Sequence, residues 1–210
     1  LETIMASRLT RREALAVGVA TALAPVMART SVLDALPDPG VLDSAFQAFE
    51  QRRGWLRTTD LLAVVDFSVP SYEPRMFIVR ADDQSILRTA LVAHGKGSDP
   101  APEPSPVPTR FSNLMGSQAS CVGAFVTGRR YLGRHGPSLR IQGLDPTNNN
   151  AEAREIVIHS APYVDPERAR SGIPVGWSEG CFAVPEPDRD EIVHLLRDGA
   201  FLFAGVSSAA

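Results

Sequence analysis

Cysteine is scarce: two in 210 residues, too few for a disulfide-stapled mini-domain or a four-cysteine zinc site. Positive charge is not in surplus either. Lys+Arg is 21 against 24 Asp+Glu, and the net charge of −3 argues against a nucleic-acid binder. Lysine is nearly missing, with Lys96 the single one among arginines. No uncharged run beyond the N-terminal segment is long and apolar enough to span a bilayer, and no internal repeat is present. Low complexity is confined to residues 99–108, where Pro100, Pro102, Pro104, Pro106 and Pro108 occupy alternate positions. Such a stretch is stiff and extended and reads as a surface connector in preference to a substrate-facing lid. What remains is 44% hydrophobic and 21% charged, a composition that excludes a disordered chain and suits one domain of ordinary size.

The N-terminus reads as an address. Arg8, Arg11 and Arg12 precede an uncharged, Ala-rich run over 14–28, too short to span stably but fitting the apolar core of a signal. Thr10-Arg11-Arg12-Glu13-Ala14-Leu15 resembles a twin-arginine export signal, and Val26-Met27-Ala28 offers small residues for cleavage. Leu1 to Ile4, ahead of Met5, read as an upstream extension. The competing reading is a buried Ala-rich helix. Three parts are expected: residues 1–28 an export signal, 29–57 a leader helix and linker, and 58–210 a catalytic domain. Export places the mature protein, with no integral membrane segment, in the periplasm or cell envelope, where disulfides are permitted.

Over 31–53 the pattern is helical, with Val41, Leu42, Ala45, Phe46 and Phe49 on one face. After Arg57 the texture changes to short β-rich runs at 61–69, 75–80, 85–93, 121–127, 138–144, 155–160 and 181–184, separated by turn residues. This predicts a mainly β fold of packed β-sheets, a β-sandwich, with a few short helices. A late helix over 189–197 ends at Gly199, and 201–204 returns as a strand.

The chemistry gathers in the last third. Glu155-Ile156-Val157-Ile158-His159-Ser160 ends an apolar strand in a histidine, and Gly176-Trp177-Ser178-Glu179-Gly180-Cys181 sets a cysteine behind a glycine. A thiol attacks well only as thiolate, so it needs a base nearby, and imidazole titrates in the right range. Gly180 lets the backbone pass close to a substrate carbonyl, so that amides around Cys181 can face a developing oxyanion. The duller readings are a packed or disulfide-bonded cysteine and a core histidine. Cys121 has only a β run around it and reads as a packed free cysteine, His194 as a solvated helix residue, and Asn148 to Asn150 as a turn.

Taken together, His159-Ser160 and Ser178-Glu179-Gly180-Cys181 resemble the catalytic region of the YkuD-type murein L,D-transpeptidase catalytic domain family. The ordered company of Val92-Ala93-His94-Gly95-Lys96-Gly97-Ser98, Phe111-Ser112-Asn113, Gly133-Arg134-His135-Gly136 and Gly143-Leu144-Asp145 extends that resemblance from about Leu61 to Val184. Many members carry His where this chain has Glu179, and Arg where it has Trp177.

The resemblance implies acyl transfer on peptidoglycan stem peptides: a 3→3 cross-link between diamino acid residues through a Cys181 thioester. It implies Cys181, His159, Ser160 and Gly180 as catalytic residues, with Ser160 fixing the His159 tautomer and Ser178 ordering the turn. Ser178, Glu179, His135 and Trp177 are the implied substrate-binding residues. No metal or organic cofactor is called for, since thiol, base and oxyanion site suffice. The expected partner is the stem peptide alone, and the expected state a monomer. Two alternatives stay open: a carboxypeptidase or murein hydrolase on the same site, and a catalytically silent murein-binding domain, which Glu179 favours.

Overall fold

A computed structural model describes residues 36–207, so the export signal expected at 1–28 lies outside the described residues. The first element is α1 (Pro39–Arg52), shorter than the 31–53 helix expected. The Asp38 carboxylate caps it by accepting from the Gly40 and Val41 amides, and Pro39 occupies the first turn, where its missing N–H has no helical partner to lose. Val41, Ala45 and Phe49 form its buried stripe.

Eight strands follow: β1 (Leu61–Asp66), β2 (Met76–Arg80), β3 (Ile86–Ala90), β4 (Gly123–Gly133), β5 (Gly136–Gly143), β6 (Val157–Ser160), β7 (Phe182–Val184) and β8 (Phe201–Gly205). They form one mixed sheet in the order β3-β2-β1-β8-β4-β5-β6-β7. The pairs β1–β8 and β6–β7 are parallel and the rest antiparallel. The fold is mainly β with few short helices, as the sequence predicts, and its packed faces belong to a single curled sheet. Phe67, just beyond β1, stacks on Phe182 of β7 with ring centroids 6.2 Å apart. Five strand spacings on a flat sheet would separate them by about 24 Å, so the sheet bends back on itself. Its two ends are stitched together, since the Ala93 amide donates to the Ala183 carbonyl. That contact also covers backbone that an open edge would leave unpaired.

Period-two alternation sorts the side chains. Ala63 and Val65 of β1 face the core inside the curl with Ile78, Phe125, Ile158 and Phe182. Leu62 and Val64 face outward against Phe77, Phe201 and the stripe of α1. The ring of Phe49 meets Phe201 edge-on at 5.6 Å. The expected leader helix is therefore seated on the second face of the central strands.

Two short helices complete the fold. α2 (Pro166–Arg170), capped by Asp165, was not apparent from the sequence because five residues carry no helical period. α3 (Arg189–Leu195) is the late helix, two residues shorter than expected. The proline-rich stretch runs largely over the surface and is tied down at Pro106, whose carbonyl accepts from the Ser71 amide. Beneath it lies fully buried Arg75, which donates to the carbonyls of Val92 and Val69 and contacts the His94 ring.

Candidate active site

The strand pair β6–β7 sets the geometry. Their parallel register places Ile158 beside Phe182 and His159 beside Ala183. Cys181 precedes β7 by one residue. Side chains two apart on a strand share a face, so His159 and Cys181 point the same way from neighbouring strands, as diagonal neighbours. Both line one cleft of about 1090 Å³, together with His135, Trp177, Ser178 and Glu179.

Gly180 shapes the turn that presents the cysteine. Its φ is +111°, and a Cβ there would lie 2.7 Å from the Ala119 carbonyl oxygen. Ser178 closes the same turn, its hydroxyl donating to the Cys181 carbonyl at 2.8 Å and accepting the Gly180 amide at 3.1 Å. The elbow is moored from outside as well. The Ser178 amide donates to the His94 carbonyl, and the Lys96 amide donates to the Ser178 carbonyl. The Gly-bounded loop carrying His94 and Lys96 thus serves as the abutment of the cysteine turn.

His159 is buried, and its Nδ1 lies 2.8 Å from the Ser160 carbonyl oxygen. A carbonyl only accepts, so Nδ1 carries the proton and Nε2 keeps its lone pair. The expectation that Ser160 sets the tautomer is corrected in one respect: its backbone carbonyl makes the contact, because the hydroxyl turns away to donate to the His135 carbonyl and accept from Arg189. Burial pushes the imidazole below its usual range, against the pull of the Ser160 bond, and His135 and Arg134 lower it further. His135 stacks on the His159 ring at 4.5 Å.

The Cys181 thiol reaches the Glu155 carbonyl at 3.7 Å and accepts from the Val157 amide. Burial pushes the thiol up, and Glu179 adds to this, whereas the Val157 amide, Arg134 and Arg154 pull it down. Both shifts favour the neutral forms, thiol and imidazole, over the charged ones. Cys121 is buried and, like Cys181, free, so the two form no disulfide.

Glu179 accepts from the Gln118 amide at 3.3 Å, and the Trp177 indole donates to Asp99 at 3.2 Å with the Lys96 ammonium over its ring. Of the eight residues singled out from the sequence, six line this cleft and Gly180 shapes the turn beneath it, whereas Ser160 lines a separate neighbouring pocket with Arg189. Arg154, Glu155, Gln118 and Tyr163 line the cleft too and were not foreseen. Arg154 and Glu155 lie directly before the apolar strand, a position whose only sequence signal was a charged pair. Among the described residues no cluster of three His, Cys, Asp or Glu side chains is placed to hold a metal ion, and no helix is long and apolar enough to cross a membrane.

A curled mixed sheet thus presents a histidine on one strand and a cysteine one residue ahead of its parallel neighbour. The L,D-transpeptidase catalytic domain family matches residues 35–204, and the chain belongs to that family. No curated protein sequence matches it significantly. Among solved structures, an L,D-transpeptidase from Mycobacterium smegmatis is similar at 11% identity, covering 70% of this chain and 58% of that one, with a TM-score of 0.44. The helical cell shape determining protein Pgp2 from Campylobacter jejuni is similar at 12% identity over 73% of this chain and 49% of that one, TM-score 0.47. L,D-transpeptidase 1 from Mycobacterium tuberculosis follows at 12% identity over 70% and 62%, TM-score 0.37. The chain spans about half to three-fifths of the length of these proteins.

Proposed function

We propose that this chain is a cysteine-dependent L,D-transpeptidase that forms 3→3 cross-links between peptidoglycan stem peptides. The observation that carries the reading is a thiol and a free imidazole Nε2 on one face of adjacent parallel strands, in a chain of the L,D-transpeptidase catalytic domain family. In the proposed reaction Cys181 Sγ bonds to the carbonyl carbon of the third stem residue while His159 Nε2 takes the thiol proton. The C–N bond to the terminal D-alanine then breaks, and the imidazolium returns its proton to the leaving amine. The side-chain amine of a second stem attacks the thioester, releasing the thiol and completing the amide. Because Ser178 Oγ already occupies the Gly180 amide, the amide of Cys181 is the oxyanion donor this reading favours. Trp177, Glu179 and His135 form the walls that hold the stem.

Water in place of the second amine gives a carboxypeptidase on the same site. The silent murein-binding alternative has one observation in its favour, the Glu179 carboxylate that raises the nearby thiol. In this proposal residues 1–28 export the protein, 29–57 dock it with a leader helix, and the 58–210 domain works in the periplasm or cell envelope as a monomer. Incubation with tetrapeptide muropeptides is decisive. Cross-linked dimers that vanish in Cys181→Ala are the expected result. Tripeptide monomers alone point to hydrolysis, and unchanged substrate with the wild-type protein sinks the enzyme reading.

A further inference from the structure

We infer that Arg154 is a positioning residue for the nucleophile: its guanidinium locks the loop behind Gly180 and holds an uncompensated positive charge beneath the Cys181 thiol. The inference rests on the reading of Cys181 as nucleophile. One guanidinium nitrogen donates to the Ser112 carbonyl at 2.6 Å and another to the Ala119 carbonyl. The Ala119 oxygen is the atom that a Cβ on Gly180 would strike first, and Arg154 Nη2 would lie only 3.1 Å from that Cβ. Arg154 therefore grips the strip of backbone against which the cysteine elbow is pressed. It also lines the cleft beside Cys181.

Its side-chain hydrogen-bond partners are uncharged carbonyls. None of the ion pairs among the described residues includes Arg154. Carbonyl acceptors bind the guanidinium without neutralising it, so its charge stays whole and its field reaches the thiolate as that forms.

The groups around the thiol come from several elements. Glu179 sits on the elbow itself, Arg134 and His135 on the β4–β5 hairpin, His159 on β6, Glu155 before that strand, Tyr163 after it, and Cys121 ahead of β4. Glu179 opposes ionisation, while Arg134 and Arg154 favour it. Arg134 is exposed at the hairpin tip and screened by salt, whereas Arg154 is held by its carbonyls in a partly buried seat and is screened less.

The test is the pH dependence of Cys181 alkylation by iodoacetamide, followed by mass spectrometry of the Cys181 peptide. In Arg154→Gln the alkylation midpoint should rise and the rate at pH 7.5 fall about threefold to tenfold, at low and at high salt alike. Arg154→Lys should restore most of that rate, because the charge returns without the fork. Arg134→Gln should show an effect that salt abolishes. A folded Arg154→Gln protein with an unmoved midpoint overturns the inference. Should that variant not fold, the unaltered protein decides. The Arg154 Nε resonance of 15N-labelled protein should titrate with the thiol midpoint and stay still in Cys181→Ser, and a resonance that ignores the thiol overturns the inference equally. If Cys181→Ala keeps acyl transfer, the nucleophile reading falls while the alkylation result still stands, so the two failures are distinguishable.

Discussion

Gly180 concentrates two demands in one residue. Its φ of +111° belongs to a region that L side chains rarely enter, and the space where a Cβ would go is filled by the Ala119 carbonyl. The backbone conformation alone is strain of about 1–3 kcal/mol for a residue with a side chain, and it falls one residue from the thiol. Gly180→Ala is expected to lower the unfolding free energy by about that amount in urea titrations. Acylation of Cys181 by a carbapenem-type agent should slow more than stability alone accounts for, because the elbow and not the core has moved. A variant that acylates at the wild-type rate would show that the elbow tolerates displacement. At this scale the sequence was informative where the residues are contiguous. His159, Ser178, Gly180 and Cys181 announce themselves by their neighbours. Arg154 does not, because its acceptors lie 42 and 35 positions away and only the fold brings them to it.

Among the elements, the strands were legible from their alternation and from the turn residues between them, and their ends shifted by a few positions. β4 was the exception. It runs on to Gly133 through Arg129 and Arg130, where no apolar alternation marks it, because pairing with β5 across the Arg134-His135 turn supplies the hydrogen bonds. That extension carries His135 to the His159 ring. α1 starts at Pro39 because the capping carboxylate of Asp38 and the following proline define a first turn there. Its attachment depends on Phe49, fully buried against Phe201. Phe49→Ala should cost about 3–5 kcal/mol of stability, as large-to-small changes in a packed core do, read as a lower midpoint in chemical denaturation. Loss of less than about 1 kcal/mol would mean the helix is loosely seated.

At the scale of the whole molecule, a buried polar chain links the core to the cleft wall. Arg75 contacts His94 Nδ1 at 3.0 Å, His94 Nε2 faces Asp99 at 3.5 Å, and Asp99 accepts from the Trp177 indole. Burial, with the Arg75 charge beside it, holds the His94 imidazole down to about 4, against the opposing pull of Asp99. Between that value and the ordinary 6.5 the unfolded chain takes up a proton that the native state refuses, so stability falls as pH drops through this window. The loss attributable to His94 is about 3 kcal/mol between pH 7 and pH 4. Urea titrations across that range should show it, and His94→Gln should flatten the slope. An unchanged slope in that variant would place the acid sensitivity elsewhere. Asp99, which burial would raise but hydrogen bonds from Ser105, Ala101 and Trp177 hold down to about 2, contributes its own loss from the acid end of that window downward.

The order of apolar runs, the turn residues between them and the His-to-Cys spacing determined the mainly β class and the two side chains of the candidate chemistry, because these signals are local in the chain. Tertiary structure decided the rest. It showed that one sheet curls to join β3 to β7, that His135 stacks on His159, and that the Ser160 carbonyl fixes the tautomer. It also seated Arg154 beneath the elbow. Each of these depends on groups that meet only after long loops have closed, and no local pattern of residues encodes which carbonyl a guanidinium will find.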